Sequence, residues 1–379
     1  MRDSTGTLNV FSHAARTLTA VTVDSFNEEL REDEGFVGDR ASGKAFRTIL
    51  DRCRHELEAH GHEDPFGDAP SREISKSKLD KILAGGDPLA AATVHTAVEE
   101  FAQELADVVR RFLQRPAWQL TERIVFGGGL MSSHIGQLAM GRAAILLAEQ
   151  RPVDLQAIQH HPDEAGLLGA LQLAPSWVLE GHEGMLAVDI GGTNIRAGLI
   201  RFKVKHKGIA KAEVAKLIHW RHADDKPSRE EAIDRLAEML KELIGVAHEQ
   251  KLKLAPFVGV ACPGLIDERG IILRGGQNLP GNWEGEGFSL VEHIVERLEH
   301  IGRHETVVVL HNDAVVQGLS EVPNLRDVTG WGVLTIGTGL GNAHFTNRHI
   351  DSAAASLVGE AGKNEDDEGG KKAKRPKPG

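Results

Sequence analysis

The stretch "LAVDIGGTNIRAG", residues 186–198, joins an apolar run to an aspartate, two glycines and a threonine near the middle of the chain. The flanking runs "MLAVDI" and "IRAGLIRF" predict a β-hairpin whose tip carries Asp189, Gly191, Gly192 and Thr193. Glycine lets backbone N–H groups approach phosphate oxygens, Thr193 adds a hydroxyl donor, and Asp189 can hold Mg²⁺ directly or through water. Ordinary turn chemistry is the alternative for one such tip.

A second glycine turn, "GTGLGN" at residues 337–342, lies between the apolar runs "GVLTI" and "AHFTN". Its Gly337, Thr338 and Gly339 offer the same backbone and hydroxyl donors as the first turn. Each turn opens a similar series of strands and helices, which suggests two similar α/β units. Two turns in such a repeat favour a nucleotide triphosphate site over turn chemistry alone.

Other phosphate and metal motifs fit the sequence less well. "GDRASGKA" at residues 38–45 resembles a P-loop, but Ala45 stands where Ser or Thr should bind Mg²⁺. "GTGLGN" has the wrong glycine spacing for a dinucleotide fingerprint. "HELEAH" lacks the spacing of a zinc-protease helix, and its histidines are expected to be exposed.

The stretch "VVLHNDAVV", residues 308–316, supplies a candidate catalytic carboxylate. Asn312 and Asp313 follow an apolar strand and precede a predicted helix, a place where ligands gather in α/β folds. Helix capping explains the same two residue types equally well. "RGGQNLPGNW" adds Asn278 and Trp283, which predict amide hydrogen bonds and an apolar wall for a polyhydroxylated substrate.

Composition excludes several classes of protein. The chain has 379 residues, a formal net charge of -11 and two cysteines, Cys53 and Cys262. The acidic balance argues against a nucleic-acid surface, and the basic run "KKAKRPK" is interpreted as a solvated tail. Two distant cysteines build no zinc site, and they indicate a reducing compartment. Because no signal peptide or membrane-length apolar run is apparent, we expect a cytoplasmic protein.

Helix signals are clear at two points and weak between residues 24 and 80. Ser228 and Glu231 form a predicted capping box, and Asp87 with Pro88 begins a long predicted helix. A strand at "RIVF" then leads into the turn "GGGL". Residues 24–80 are polar and carry no strong periodicity.

Several of these stretches together resemble the ROK family of sugar kinases, relatives of hexokinase and actin. "DIGGTNIRAG", "CPGLID", "GGQNLPGNW", "HNDAVVQGLSE" and "TIGTGLGN" are similar, in order and spacing, to the first half of that family. "GGDPLAAATVHTAVEEFAQELADVVRRF", "RIVFGGGL" and "HPDEAGLLGALQLA" resemble its closing segment, yet they come earlier in this chain. The resemblance therefore implies a circular permutation, joined through "PSWVLEGHEG".

The resemblance implies an α/β fold of two actin/hexokinase-like (ribonuclease H-like) domains with a cleft between them, in circularly permuted order. The nucleotide-binding domain would comprise residues 1–180 with 330–362, and the sugar-binding domain residues 184–329. Residues 363–379 are of low complexity and are predicted to be a disordered tail.

The resemblance also implies roles for individual residues. Asp313 resembles the family's general base, and Asn278, Asn312, Asp313 and Glu360 its sugar ligands. The implied phosphate and nucleotide ligands are Asp189, Gly191, Gly192, Thr193, Asn194, Gly337, Thr338, Gly339, Gly127, Gly128, Gly129 and Leu130. Lys363 replaces the histidine that the family usually has after the glutamate.

The implied function is an ATP-dependent, glucokinase-like sugar kinase that phosphorylates a hydroxyl of a hexose or amino sugar. Its cofactor would be Mg²⁺, held by Asp189 directly or through water, and its partners a sugar and a nucleotide. The alternatives are a polyphosphate-dependent glucokinase and a non-catalytic sugar-sensing regulator. We expect no nucleic-acid or membrane partner and no zinc, and a homodimer is left open.

Overall fold

The computed structural model describes residues 12–33, 35–148, 151–205, 208–337 and 339–348. Its strands are β1 Val21–Phe26, β2 Arg31–Glu32, β3 Gly35–Phe36, β4 Arg123–Gly127, β5 Asp154–Ala157, β6 Gly184–Ile190, β7 Ile195–Lys205, β8 Gly208–Trp220, β9 Leu254–Cys262, β10 Leu265–Ile266, β11 Ile272–Arg274, β12 His300–Ile301, β13 His304–Glu305, β14 Val307–Asn312, β15 Gly330–Ile336 and β16 Leu340–Asn347. Its α-helices are α1 Gly43–Ala59, α2 Lys76–Gly85, α3 Pro88–Leu113, α4 His134–Ala148, α5 Pro162–Gly169, α6 Ser176–Leu179, α7 His222–Asp225, α8 Arg229–Glu249, α9 Leu290–Arg297 and α10 Asp313–Leu319.

The first five-stranded sheet has the order β14-β9-β6-β7-β8. Strands β6, β7 and β8 form an antiparallel meander, which confirms the hairpin predicted around residues 186–198. Strands β9 and β14 run parallel to β6. The carboxyl ends of β6, β9 and β14 therefore lie at one edge of the sheet, where α/β folds bind ligands.

The second five-stranded sheet has the order β1-β16-β15-β4-β5. Strands β15 and β16 form a hairpin, β1 pairs antiparallel with β16, and β4 and β5 run parallel to β15. The strands β15, β16, β1, β4 and β5 of the second sheet correspond, in that order, to β6, β7, β8, β9 and β14 of the first. The two sheets thus share one pattern only if the second begins at β15. The permutation predicts this strand order and stays a prediction.

Helices α5 and α10 lie between the two sheets and join them through a shared apolar core. That core includes Val316 on α10, Phe257 of the first sheet, and Trp331 and Phe345 of the second. Trp331 and Phe345 stack with ring centroids 4.2 Å apart. The described residues through Asn347 form one compact unit, and the predicted division into two domains stays a prediction.

Helices α1 to α4 form a second core that packs on the second sheet. The sequence analysis predicted no helix in the weakly patterned residues 24–80, but α1 lies there and α2 begins there. Phe46, Leu50 and Cys53 are buried at helical spacing, but the charged residues between them hide that period in the sequence. The buried Arg54 guanidinium bonds to Asp64 at 2.6 and 2.9 Å and anchors the loop after α1.

Helices α8 and α9 cover the remaining face of the first sheet. The predicted capping box of α8 is confirmed, because the Ser228 hydroxyl accepts from the Glu231 N–H and the Glu231 carboxylate accepts from the Ser228 N–H. Asp87 caps α3 as predicted, with Pro88 as its first residue. Within the described part of the chain, no helix is long and apolar enough to cross a membrane.

Candidate functional site

The first turn, Gly191–Asn194, follows β6 and closes on itself, because the Gly191 N–H donates to the Asn194 carbonyl at 2.8 Å. The imidazole of His222 donates from Nε2 to the Gly191 carbonyl at 2.8 Å. The Ala223 N–H donates to the Thr193 carbonyl at 3.2 Å. In a trans peptide group, the N–H of the next residue points away from the carbonyl. The two bonds to the Gly191 and Thr193 carbonyls therefore fix the directions of the Gly192 and Asn194 N–H groups.

His222 is a functional candidate that the sequence analysis missed. Its side chain is buried, and it is the first residue of α7, two residues after the end of β8. The exposed His219 bonds from Nε2 to the Asn194 side-chain oxygen at 2.9 Å. The spacing of two histidines beside a strand end was the available signal.

Asp189, the penultimate residue of β6, is almost wholly buried. Arg196 Nη1 lies 3.4 Å from its carboxylate, and Arg196 Nη2 lies 2.7 Å from that of Asp163. Burial raises the pKa of Asp189, Arg196 opposes this effect, and Asp163 adds to it. Arg196 is therefore the counter-ion that ties the hairpin to α5.

The side chains around Asp189 suit a metal ion whose other ligands are waters and substrate phosphates. Among the residues that the structure describes, no group of three or more His, Cys, Asp and Glu side chains could hold a metal ion. Mg²⁺ is commonly bound through one or two carboxylates, with waters and substrate phosphates completing its shell. Asp189 fits that mode of binding.

The sequence left helix capping and catalysis open as roles for Asn312 and Asp313, and the structure gives the cap to Asn312. The Asn312 side-chain oxygen caps α10, accepting from Ala314 N at 3.0 Å and Val315 N at 3.3 Å, and its Nδ2 donates to the Gly264 carbonyl at 2.9 Å. Asp313 Oδ1 accepts from the backbone N–H of its neighbour Ala314 at 2.9 Å, and among the described residues no side chain bonds to this carboxylate. The helix cap is therefore Asn312, and the Asp313 carboxylate is available for chemistry.

The surroundings of Asp313 favour its protonated form. Burial, followed by the negative charge of Asp189, raises the pKa of Asp313 to about 6, while the Ala314 N–H opposes the shift. Cys262, at the end of the strand between β6 and β14, is buried, and both carboxylates help burial to raise the pKa of its thiol. A carboxylate with a pKa near the working pH suits a general base.

The structure places Asn278 beside the first turn but Trp283 in the apolar core. A Cβ on Gly192 would lie 2.7 Å from the Asn278 Cβ, so the exposed Asn278 sits against the first turn. Trp283 is fully buried, packs against Phe288 and donates from Nε1 to the Pro280 carbonyl. The prediction that Trp283 forms a substrate wall was wrong, because its ring belongs to the apolar core.

The second turn, Gly337–Gly339, and the third turn, Gly127–Leu130, follow the adjacent parallel strands β15 and β4. The Gly337 N–H donates to the Gly339 carbonyl at 2.9 Å, and the Gly43 N–H at the start of α1 donates to the Gly337 carbonyl at 3.0 Å. Thr338 and Glu360, two of the predicted site residues, lie outside the described residues.

Helix α10 brings the edges of the two sheets together. A Cβ on Gly341, just after the second turn, would lie 3.1 Å from the Ala314 Cβ. A Cβ on Gly127 in the third turn would lie 3.3 Å from the Gln317 side-chain oxygen. Asp313 is the first residue of this helix, so the carboxylate and the glycine turns of both sheets belong to one region.

Comparison with known proteins gives matches of two kinds. Two solved structures are similar over part of the chain. One is a ROK hexokinase from Thermus thermophilus, at 25% identity over 35% of this chain and 35% of that chain, with a TM-score of 0.25. The other is a ROK family glucokinase from Streptomyces griseus in complex with glucose and AMPPNP, at 22% identity over 44% of this chain and 47% of that chain, with a TM-score of 0.30. The chain thus spans less than half the length of either structure.

No curated protein matches the chain. The model of the ROK family matches residues 185–379, which is just over half of the sequence. That match includes the first turn, Asn312, Asp313 and the second turn. The chain belongs to the ROK family.

Proposed function

We propose that this protein is a sugar kinase that transfers the γ-phosphoryl group of ATP to a hydroxyl of a hexose or amino sugar. The observation that carries the proposal is the division of roles at the start of α10. Asn312 caps the helix, and the neighbouring Asp313 keeps a carboxylate whose pKa is raised to about 6. Because Asn312 makes the capping bonds to Ala314 and Val315, the helix cap does not depend on the Asp313 carboxylate.

In the proposed reaction Asp313 accepts the proton of the sugar hydroxyl. The hydroxyl oxygen forms its bond to the γ-phosphorus as the bond from that phosphorus to the β,γ-bridging oxygen breaks, and ADP leaves. Asn278, Asn312 and Glu360 would orient the sugar. The side-chain amide of Asn312 retains one N–H after capping α10 and donating to Gly264.

The glycine turns would bind the phosphates of the donor through backbone N–H groups, with His222 holding the first turn in shape. Asp189, Gly191, Gly192, Thr193 and Asn194 would act from the first sheet, and the second and third turns, with Thr338, from the second. Mg²⁺, bound near Asp189 with the donor, would neutralise phosphate charge. Polyphosphate presents the same phosphoanhydride chain and is the alternative donor.

The proposal is tested by assaying the purified chain for phosphoryl transfer to a panel of hexoses and amino sugars, with ATP and with polyphosphate. We expect a sugar phosphate to form from at least one pair of donor and acceptor, and to require Mg²⁺. Sugar binding without turnover for any donor would instead support the sugar-sensing alternative.

A further inference from the structure

Two cationic side chains lie at the edge of the second sheet without a carboxylate in contact. Arg47 is on α1, and Lys76 is the first residue of α2. Within the described ranges, neither residue forms an ion pair. Most of the arginines in this chain do form one, as Arg40, Arg54 and Arg123 illustrate.

Arg47 carries a polar atom that nothing in the described chain satisfies. Its Nη1 is buried and has no hydrogen-bond partner among the described residues. Burial lowers the pKa of Arg47, and only Asp51 opposes this effect. A buried guanidinium N–H without an acceptor costs free energy, so such an atom often marks the place of a missing ligand.

Lys76 lies close to Arg47 and to the third turn. Its Nζ donates to the Gly129 carbonyl. Burial and the positive charge of Arg47 lower the pKa of Lys76, whereas Asp163 and Asp80 raise it. Two like charges are thus held near each other and partly out of water, an arrangement that an anion would stabilise.

Both cations are placed by the glycine turns themselves. Helix α1 begins where Gly43 donates to the Gly337 carbonyl of the second turn. Arg47 is four residues after Gly43 and therefore lies on the same face of α1. Lys76 reaches the third turn, which follows the neighbouring strand. The cations therefore stand at the carboxyl edge of the second sheet, beside the turns assigned to the donor.

We propose that Arg47 and Lys76 form a cationic subsite that binds the phosphate chain of the phosphoryl donor. The inference rests on the proposed function, because that function supplies the phosphoanhydride ligand. A phosphate oxygen gives Arg47 Nη1 its missing acceptor and gives Lys76 a counter-ion. ATP and polyphosphate share this chemistry, and the test separates them.

The test uses Arg47→Gln, Lys76→Gln and the double variant of the full chain. Lys44→Gln and Lys78→Gln are matched controls, because they remove one exposed cation from α1 and α2 respectively. Lys44 lines a surface cavity with Arg40, Thr48 and Glu104, and neither Arg47 nor Lys76 lines that cavity. Calorimetry measures Kd for MgADP and for magnesium tripolyphosphate, and steady-state kinetics measures KM for donor and sugar.

We expect each single variant to raise both Kd values about tenfold, which is the effect of losing one charge-assisted hydrogen bond. The double variant should raise them further, while the KM for sugar and both control variants stay within about twofold. If tripolyphosphate binding alone is lost, the result supports the subsite and identifies polyphosphate as the donor. If Arg47→Gln fails to fold, Lys76→Gln carries the test, because its side chain is only half-buried.

Unchanged Kd values in variants with the wild-type melting temperature would overturn the subsite. So would loss of MgADP binding alone, since the contact would then be to the nucleoside, and so would a wild-type chain that binds neither probe. Wild-type binding of tripolyphosphate that the variants lose, with no turnover on any sugar, would support the subsite while contradicting the proposed function.

Discussion

The glycine turns of the two sheets are held in different ways. In the first turn, His222 and Ala223 bind the carbonyl groups of Gly191 and Thr193, and all four residues lie within the first meander and its exit. In the second turn, the Gly337 carbonyl accepts from Gly43, which lies in the opposite half of the chain. The first turn is therefore built from neighbouring sequence, and the second requires two distant segments to meet.

This difference has a consequence for folding. Contacts between residues near in sequence close small loops, whereas joining β1, β4 and β5 to the hairpin of β15 and β16 closes large ones. The second and third turns should therefore depend on the packing of the whole second sheet. Substitutions at the turns can separate the two cases.

The largest expected effect is on the third turn. Gly128 has φ +86°, and a Cβ there would lie 2.4 Å from the Ile336 carbonyl oxygen of the adjacent strand. Gly128→Ala should therefore lower the free energy of unfolding by about 3 kcal/mol or more, from backbone strain and overpacking together. Urea unfolding of the purified variant measures this loss.

Gly191→Ala in the first turn is the matched comparison. Its nearest neighbour would be the Asn194 carbonyl oxygen at 3.5 Å, which is an ordinary contact distance. The loss should be below about 1 kcal/mol. Equal losses at Gly128 and Gly191 would contradict the distinction between the turns.

The next effect concerns pH and Asp313. Its pKa rises from 3.8 to about 6 on folding, so the folded protein binds more protons between these values and loses stability as pH rises through them. Asp313→Asn removes this dependence. Relative to wild type, the variant should gain stability between pH 4 and pH 8, with an upper limit of about 3 kcal/mol.

Urea unfolding of both proteins at pH 4 and pH 8 measures that difference. The carboxylate is partly exposed, so solvent should reduce the gain below the limit. A pH-independent difference between the two proteins would mean that Asp313 titrates normally, and the argument for a general base poised near neutrality would fail.

The smallest effect concerns His222. Replacing it with Leu removes the donor to Gly191, so the peptide groups of the first turn lose their fixed direction. We expect the KM for the phosphoryl donor to rise about tenfold, the worth of one hydrogen bond to this turn, with the KM for sugar little changed. Steady-state kinetics with each substrate varied in turn measures the two constants.

His222→Gln should restore most of the donor KM, because its amide N–H can replace the Nε2 donor. Equal damage from Leu and Gln, with both substrates affected, would indicate a general packing role for His222.

The sequence predicted the first sheet well because its strands are consecutive and their apolar runs are bounded by clear turns. The hairpin at residues 186–198, the capping box at Ser228 and the helix after Asn312 are all confirmed. These features depend on local chemistry. Features of this kind can be predicted from neighbouring residues in the sequence without the structure.

The errors concern long-range packing. Helix α1 was missed because charged residues separate its buried residues Phe46, Leu50 and Cys53. Trp283 was misplaced because a tryptophan beside a loop can face either the solvent or the core, and its neighbour Phe288 decides for the core. The subsite of Arg47 and Lys76 joins two helices to two turns, and no single stretch of sequence contains it.

Turnover of Asp313→Asn, measured beside sugar affinity and melting temperature, tests the central claim most directly. Asn keeps the size and much of the hydrogen bonding of Asp but cannot take the proton of the sugar hydroxyl. We predict a fall in kcat of roughly 10²-fold or more with sugar binding affected far less, while the exposed control Asp224→Asn retains wild-type turnover. Near-normal turnover in a folded Asp313→Asn protein would remove Asp313 from the mechanism and contradict the proposed reaction.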